Sequence, residues 1–240
     1  MKIAVISDIH GNMLALNKVL EDIKTNECDK IFCLGDLALA GPEPEKTVSF
    51  VKSQNDWVII QGNTDKMIAE CTPELIDATK KAFRPMGFSL ESDVEILCDE
   101  NKAYLKNLPP QQSLEVEGLK ILLVHGSPRR NNENIYPELP MNEIEQIIDG
   151  VKEDLILCGH THIPAGYQTD SKKTVVNVGS VGRPLTADAK PCYLILSVID
   201  GKFSVQHKFV DYDRVTAATM MKNRGFEGAK DIAKMLLGNK

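Results

Sequence analysis

Five short apolar runs, rich in β-branched residues and each cut off by a glycine or polar cluster, constrain this chain more than any other feature. They are KIAVISDIHGN (2–12), KIFCLGD (30–36), WVIIQGNTD (57–65), KILLVHGS (120–127) and DLILCGHTH (154–162). Unbroken apolar runs of this length suit strands covered on both faces. Helical periodicity lies between several of them. Leu16, Val19, Leu20 and Ile23 follow the first run at i, i+3, i+4 and i+7. Ile144, Ile147, Ile148 and Val151 precede the fifth in the same pattern, behind Asn142-x-x-Glu145, which reads as a capping box. Strands alternating with helices predict an α/β fold with a largely parallel sheet.

Residues 66–110 break the alternation and read as a helical insertion. Thr72-Pro73 suits an N-cap and first turn, Ser92-x-x-Glu95 a second capping box, and Leu108 with two prolines a stop. From about residue 165 the pattern changes to strands without helices, TVVNVGS, CYLILSVID and KFSVQHKFV, the last two joined by the hairpin signal Asp200-Gly201. A helical tail is expected over about 212–240, with a break near Gly225.

The 240 residues can form one large domain or two small ones. A hydrophobic fraction of 42% and a charged fraction of 26% are ordinary for a globular protein. The net charge of −6 and the lack of a basic face argue against a long nucleic acid as partner. No apolar stretch approaches a membrane span, so no membrane partner is expected. The N-terminal apolar run meets Asp8 and His10 too early for a signal peptide, and a cytoplasmic location is the simplest expectation. Six scattered cysteines without a CxxC pair read as reduced structural thiols rather than disulfides or a zinc site.

In open α/β sheets, ligands bind beyond the carboxyl ends of the strands. The five polar clusters there supply Asp8, His10, Asp36, Asn63, His125, His160 and His162, which include four of the five histidines. Carboxylate, imidazole and amide oxygen together suit a divalent ion such as Mn²⁺, Fe²⁺, Co²⁺, Ni²⁺ or Zn²⁺. In extended backbone the i, i+2 pairs Asp8/His10 and His160/His162 would share a face. Seven donors exceed one tetrahedral ion and suit two ions about 3.5–4 Å apart with a shared carboxylate.

In order, the motifs DIH, GD, GNTD, H and GHTH resemble the signature of the calcineurin-like metallophosphoesterases, D-x-H, G-D, G-N-H-D/E, H and G-H-x-H. SDIHGN and NVGSVGRP are similar to a bacterial and archaeal phosphodiesterase branch. The resemblance spans residues 3 to about 200. It implies a four-layer α-β-β-α sandwich of two mixed sheets, in one domain over 1–240 with the insertion near the metal crevice. It also implies a dinuclear-metal phosphodiesterase or phosphatase, the diesterase favoured, with Mn²⁺ as the leading metal and a metal-bridging hydroxide as nucleophile. One ion would be held by Asp8, His10, Asp36 and His162, the other by Asn63, His125 and His160, with Asp36 bridging. Catalytic roles are then expected for Asp36, Asn63, Asp65 and His125.

The chain departs from the pattern at Thr64, where the family commonly has a histidine that can protonate the leaving oxygen. Threonine is no useful acid near neutrality, so substrates with poor leaving groups should turn over slowly. Asp65 either caps a following helix or orients site groups. Asn12, Thr64 and Arg183 are candidates for substrate contact; Asn12 equally suits a helix cap, and Arg183 a structural role. Ser180 and Asn177 share the Arg183 loop as weaker candidates. His207 reads as a packing residue. Gly35, Gly62 and Gly159 either shape turns or let backbone approach the metals. The substrate would be a small phosphoester, nucleotide-like molecules included. The competing function is a non-catalytic metal-binding or protein-interaction scaffold of the same fold.

Overall fold

The structure is a computed structural model that describes residues 1–238; residues 239–240 of the expected C-terminal tail lie outside the described residues. Along the chain run β1 (Lys2–Ile6), α1 (Met13–Thr25), β2 (Lys30–Cys33), α2 (Pro44–Lys52) and β3 (Val58–Ile59). Four helices follow: α3 (Asn63–Ala69), α4 (Pro73–Ala82), α5 (Arg84–Ile96) and α6 (Asp99–Asn107). Next come β4 (Gln111–Val116), β5 (Leu119–Val124), α7 (Met141–Ile147), β6 (Leu155–Cys158), β7 (Ala165–Gln168) and β8 (Thr174–Asn177). The described chain closes with β9 (Cys192–Ile199), β10 (Lys202–Phe209), α8 (Arg214–Asn223) and α9 (Ala229–Leu236).

Two five-stranded sheets result, in the orders β10-β9-β1-β2-β3 and β4-β5-β6-β8-β7. Each has a parallel centre, β1-β2-β3 and β5-β6-β8, flanked by antiparallel strands. The sheets are therefore mixed rather than largely parallel. Side-chain alternation explains their stacking. Ile3 and Val5 of β1 meet Ile121, Leu155 and Val176 of the second sheet in one buried core. Ala4 and Ile6 point the other way, into a core shared with α1, α2, α5, α8 and α9. The far face of the second sheet, Leu122, Ile156 and Val175, is covered by α7. The layers run helix, sheet, sheet, helix.

All five apolar runs contain strands and Asp200-Gly201 makes the expected hairpin; both residues take positive φ (49° and 74°), as a two-residue turn of this hand requires. Glu117-Gly118 builds an equivalent turn (φ 47° and 83°) between β4 and β5, which the sequence reading passed over along with β4 and β7. Both expected capping boxes are corrected. Asn142 lies inside α7, whose N-cap is Pro140, and Glu145 binds Ser171 instead. Ser92 lies inside α5 and accepts a hydrogen bond from Arg224. In each case a tertiary partner outcompetes the local cap. Thr72 does cap α4, accepting from Leu75 N–H.

Candidate metal centre

The strands stop short of the polar clusters, and the donors sit on the turns beyond them. Asp8, His10, Asp36, His160 and His162 all take φ between 48° and 66°. This left-handed region disfavours side chains other than glycine and is tolerated where surrounding structure enforces it. The expectation that Asp8/His10 and His160/His162 share a face through extended backbone is thus corrected: the pairs converge through left-handed turns. Close backbone packing enforces them. Residue 62 sits so near Asp36 that a Cβ there would lie 2.0 Å from Asp36 Oδ1, and a Cβ at residue 159 would lie 2.6 Å from Asp8 Oδ2. Glycines at 62 and 159 therefore permit close approach.

Asp8, His10, Asp36 and His125 are essentially buried and converge. Donor atoms of Asp8, His10 and His162 lie within 4.8 Å of one another, as do those of Asp8, Asp36 and His125. Asp36 Oδ2 lies between the two imidazole sets, 3.7 Å from His10 Nε2 and 3.4 Å from His125 Nε2. Asn63 Oδ1 lies 3.0 Å from His125 Nε2, and the His160 ring stacks edge-on to His125 with centroids 5.3 Å apart.

The ring orientations are fixed by backbone carbonyls, which can only accept. Nδ1–H of His10 donates to Leu39 O (2.9 Å), that of His125 to Leu34 O (2.7 Å) and that of His162 to Arg183 O (2.7 Å). Each Nε2 is thereby turned inward, an arrangement typical of metal-ligating histidines. His10 Nε2 and His162 Nε2 face each other at 3.1 Å, two lone pairs without a proton between them in this tautomer. Asp8 Oδ1 is buried and has no hydrogen-bond partner among the described residues. Burial, then His162 and Arg183, push His10 down to about 3, so it stays a neutral donor. Burial also works to lower His125, but Asp36 and Asp8 overcome it and hold that ring up near 10. Burial opposes ionisation of Asp8, yet His162 and His125 keep it well below the usual carboxylate range. An inward-facing set of two carboxylates and three imidazoles, with an orphaned oxygen and opposed lone pairs, fits divalent cations.

Asp65 does both things expected of it. Its Oδ2 accepts Gly62 N–H at the start of α3 (2.9 Å) and Asp36 N–H (2.8 Å), and its Oδ1 accepts Leu37 N–H (2.8 Å). Thr64 N–H donates to Asp36 Oδ1 (2.8 Å), while its hydroxyl donates to Ala38 O (3.0 Å) and so faces the β2 loop. Asn12 caps α1 through Ala15 N–H and spends its amide on Gly182 O and Tyr212. Arg183 has an enclosed Nε without a partner among the described residues and lies close enough to Asp36 and Asp8 to feel both carboxylates. His207 Nε2–H donates to Asn177 O (2.7 Å) and ties β10 to the second sheet.

Sequence reasoning undervalued two residues of the NVGSVGRP loop. Asn177 donates to Gly159 O (2.6 Å) and Thr161 Oγ1 (2.9 Å), fixing the His160/His162 turn. Ser180 donates to Asp8 O (2.9 Å). All six cysteines are free, with Cys33 and Cys158 buried as expected.

Comparison with known proteins agrees with this geometry. An uncharacterized protein of Methanocaldococcus jannaschii, MJ0912, is 32% identical over 239 residues, covering 92% of this chain and 93% of its own. The crystal structure of hypothetical protein PH1004 from Pyrococcus horikoshii superposes with a TM-score of 0.86 at 25% identity, covering 97% of each chain. A metallophosphoesterase from Sphaerobacter thermophilus superposes with a TM-score of 0.80 at 24% identity over 100% of both chains and shares the fold. The family model of the calcineurin-like phosphoesterase superfamily domain matches residues 1–201. With that match over most of its length and a donor cluster that fits divalent ions, the chain belongs to the calcineurin-like phosphoesterase superfamily, a family of metal-dependent phosphoester hydrolases.

Proposed function

We propose that this protein is a dinuclear-metal phosphodiesterase acting on a small phosphoester, with Mn²⁺ as the leading metal. One observation carries the reading: donor atoms of Asp8, His10, Asp36, His125 and His162, from distant segments, cluster where Asp8 Oδ1 is unpartnered and the imidazoles of His10 and His162 oppose lone pairs, with Asn63 and His160 beside His125. Asp8, His10, Asp36 and His162 would hold one ion and Asn63, His125 and His160 the other, with Asp36 shared. When bound, such ions supply Lewis acidity and an acidified water nucleophile.

The chain's own part is preorganisation. The carbonyls of Leu39, Leu34 and Arg183 orient three imidazoles with Nε2 inward, and Asp65 with Thr64 N–H fixes Asp36. Arg183 lies close enough to Asp36 and Asp8 to feel both carboxylates, and we assign its guanidinium to a phosphoryl oxygen, where its fixed fork suits bidentate contact. Asn12 is committed to its cap and supports α1 rather than substrate. A cleft of about 620 Å³ opens beside Asn63, between α3 and the loop after β5, and gives room for a second organic substituent on phosphorus. Lys66, Arg130 and Asn131 offer polar contacts there, and Met67 and Leu75 an apolar wall, which supports nucleotide-like substrates. That wall comes from the helical insertion, so we assign the insertion a role in substrate access.

We also read residues 1–238 as one domain, because α5, α8 and α9 share a core with β1. No helix among the described residues is long and apolar enough to cross a membrane. The free thiols suit a reducing, cytoplasmic setting.

The direct test is hydrolysis of bis(p-nitrophenyl) phosphate with added Mn²⁺, before and after chelation. Activity that chelation removes and Mn²⁺ restores is expected. A purified protein that takes up two equivalents of metal yet cleaves neither diesters nor monoesters would instead be a scaffold.

A further inference from the structure

Arg224, at the end of α8, lies beyond the residues 1–201 matched by the family model. Its side chain is 6% exposed, and its guanidinium reaches three acceptors. Nη1 lies 2.5 Å from Asp93 Oδ1 and donates to Gly41 O at 2.9 Å; Nη2 donates to Ser92 Oγ at 2.8 Å. Asp93 and Ser92 belong to α5, and Gly41 to the turn between β2 and α2. One cation thus joins the C-terminal helices, the helical insertion and the loop that carries Asp36.

That loop needs holding. Leu39 and Ala40 take φ of 79° and 63°, a conformation that side chains larger than glycine leave unless restrained. The restraints come from α5. Asp93 Oδ2 accepts Leu39 N–H (2.9 Å), and Ser89 Oγ accepts Ala40 N–H (3.1 Å). The next residue presses on the site itself, since a Cβ at residue 41 would lie 1.6 Å from the backbone oxygen of His10. The carbonyl of Leu39 accepts the Nδ1–H of His10. The backbone of the His10 turn is separately secured, through His10 N–H to Asp36 O and Gly11 N–H to Leu37 O. The orientation of the imidazole depends on Leu39 O.

We propose that Arg224, acting through Asp93 and the Leu39–Gly41 turn, is a positioning residue for His10, so that the end of α8 sets how tightly the centre holds metal. The proposal rests on the reading of Asp8, His10, Asp36 and His162 as one ligand set. Arginine suits the task because its planar fork satisfies several acceptors at once, which a lysine ammonium at the same place does not reproduce.

The test is Co²⁺ binding to the full chain, read as affinity against a competing chelator and as the visible absorption spectrum of the bound ion. Arg224→Ala should weaken Co²⁺ about 10–100-fold, the usual effect of losing an outer partner of a ligand, and alter the spectrum. Arg224→Lys should fall between Arg224→Ala and the parent. Ile232→Ala truncates a buried residue of α9 that makes no hydrogen bond to the turn, so it should lower thermal stability and leave Co²⁺ affinity at the parent value. Should Arg224→Ala not fold, Ser89→Ala removes only the acceptor for Ala40 N–H, and a severalfold loss of affinity is expected. Parent-like affinity and spectrum in the Arg224 and Ser89 variants would overturn the proposal, as would an equal loss in Ile232→Ala. A parent protein that binds no Co²⁺ would instead sink the ligand assignment, and this proposal with it.

Discussion

Replacing Gly159 by alanine tests whether the position of Asp8 governs the centre. The added Cβ would lie 2.1 Å from Ser7 Oγ and 2.6 Å from Asp8 Oδ2, against ordinary contacts that begin near about 3.5 Å. Ser7 or Asp8 must therefore retreat by roughly 1 Å or more. Ser7 is fully buried, and Asp8 Oδ2 is tethered by His160 N–H at 3.0 Å, so the displacement passes into the His160 turn as well. The backbone at Gly159 has no positive φ, so the cost is one of space alone. Overpacking of this kind costs about 1–3 kcal/mol, which lowers Tm by about 2–12 °C in a chain of this size. Metal affinity should fall by at least about tenfold, because Asp8 belongs to both donor groups at the centre.

Gly166→Ala is the matched control. Nothing lies within 4 Å of its added Cβ, and the expected change is within about 0.5 kcal/mol. Urea and thermal melts with and without Mn²⁺, together with competition against a chelator, read both quantities. A Gly159→Ala protein that melts and binds Mn²⁺ like Gly166→Ala would refute the argument that close approach at residue 159 holds Asp8 in place.

Three further outcomes are expected. Thr64→His should speed hydrolysis of alkyl-leaving diesters more than aryl ones, because only the former need a proton at the leaving oxygen; equal acceleration of both would count against a missing acid. Stripping metal with a chelator should lower Tm, since Mn²⁺ at about 100 times its Kd adds about 2.7 kcal/mol to a native state that alone binds it; an unchanged melt in excess Mn²⁺ would contradict the ligand assignment. Glu133→Gln should destabilise by about 1 kcal/mol at pH 7, allowing for solvent around the Arg129 and Arg130 partners. Arg129, against the opposition of burial, holds Glu133 down at about 2 from 4.5. A depressed carboxylate stabilises above its unfolded pKa and loses that contribution as pH falls through the folded one. The gap between Glu133→Gln and the parent in urea melts should therefore close between about pH 4.5 and 2, and a constant gap would disprove the pairing.

The linear chain fixed a good deal by itself. Strand positions followed from unbroken apolar runs such as ILLV and LILC, because burial on both faces leaves no place for polar residues. The β9–β10 hairpin followed from Asp200-Gly201, which tolerates positive φ twice in succession. The residues that converge at the candidate centre were legible as residue types at strand ends, since what a side chain can ligate depends on the atoms it offers. Tertiary structure alone decided how those donors are aimed. The left-handed turns at Asp8 and Asp36 are held because residues 159 and 182, and 62, let backbone press where a Cβ would clash with Asp8 Oδ2 and Ile9 O, and with Asp36, which is a property of packing between segments far apart in sequence. The failed caps at Ser92 and Asn142 have the same origin: Arg224 engages Ser92, and Ser171 in the β7–β8 turn engages Glu145, and no local window of sequence contains those partners.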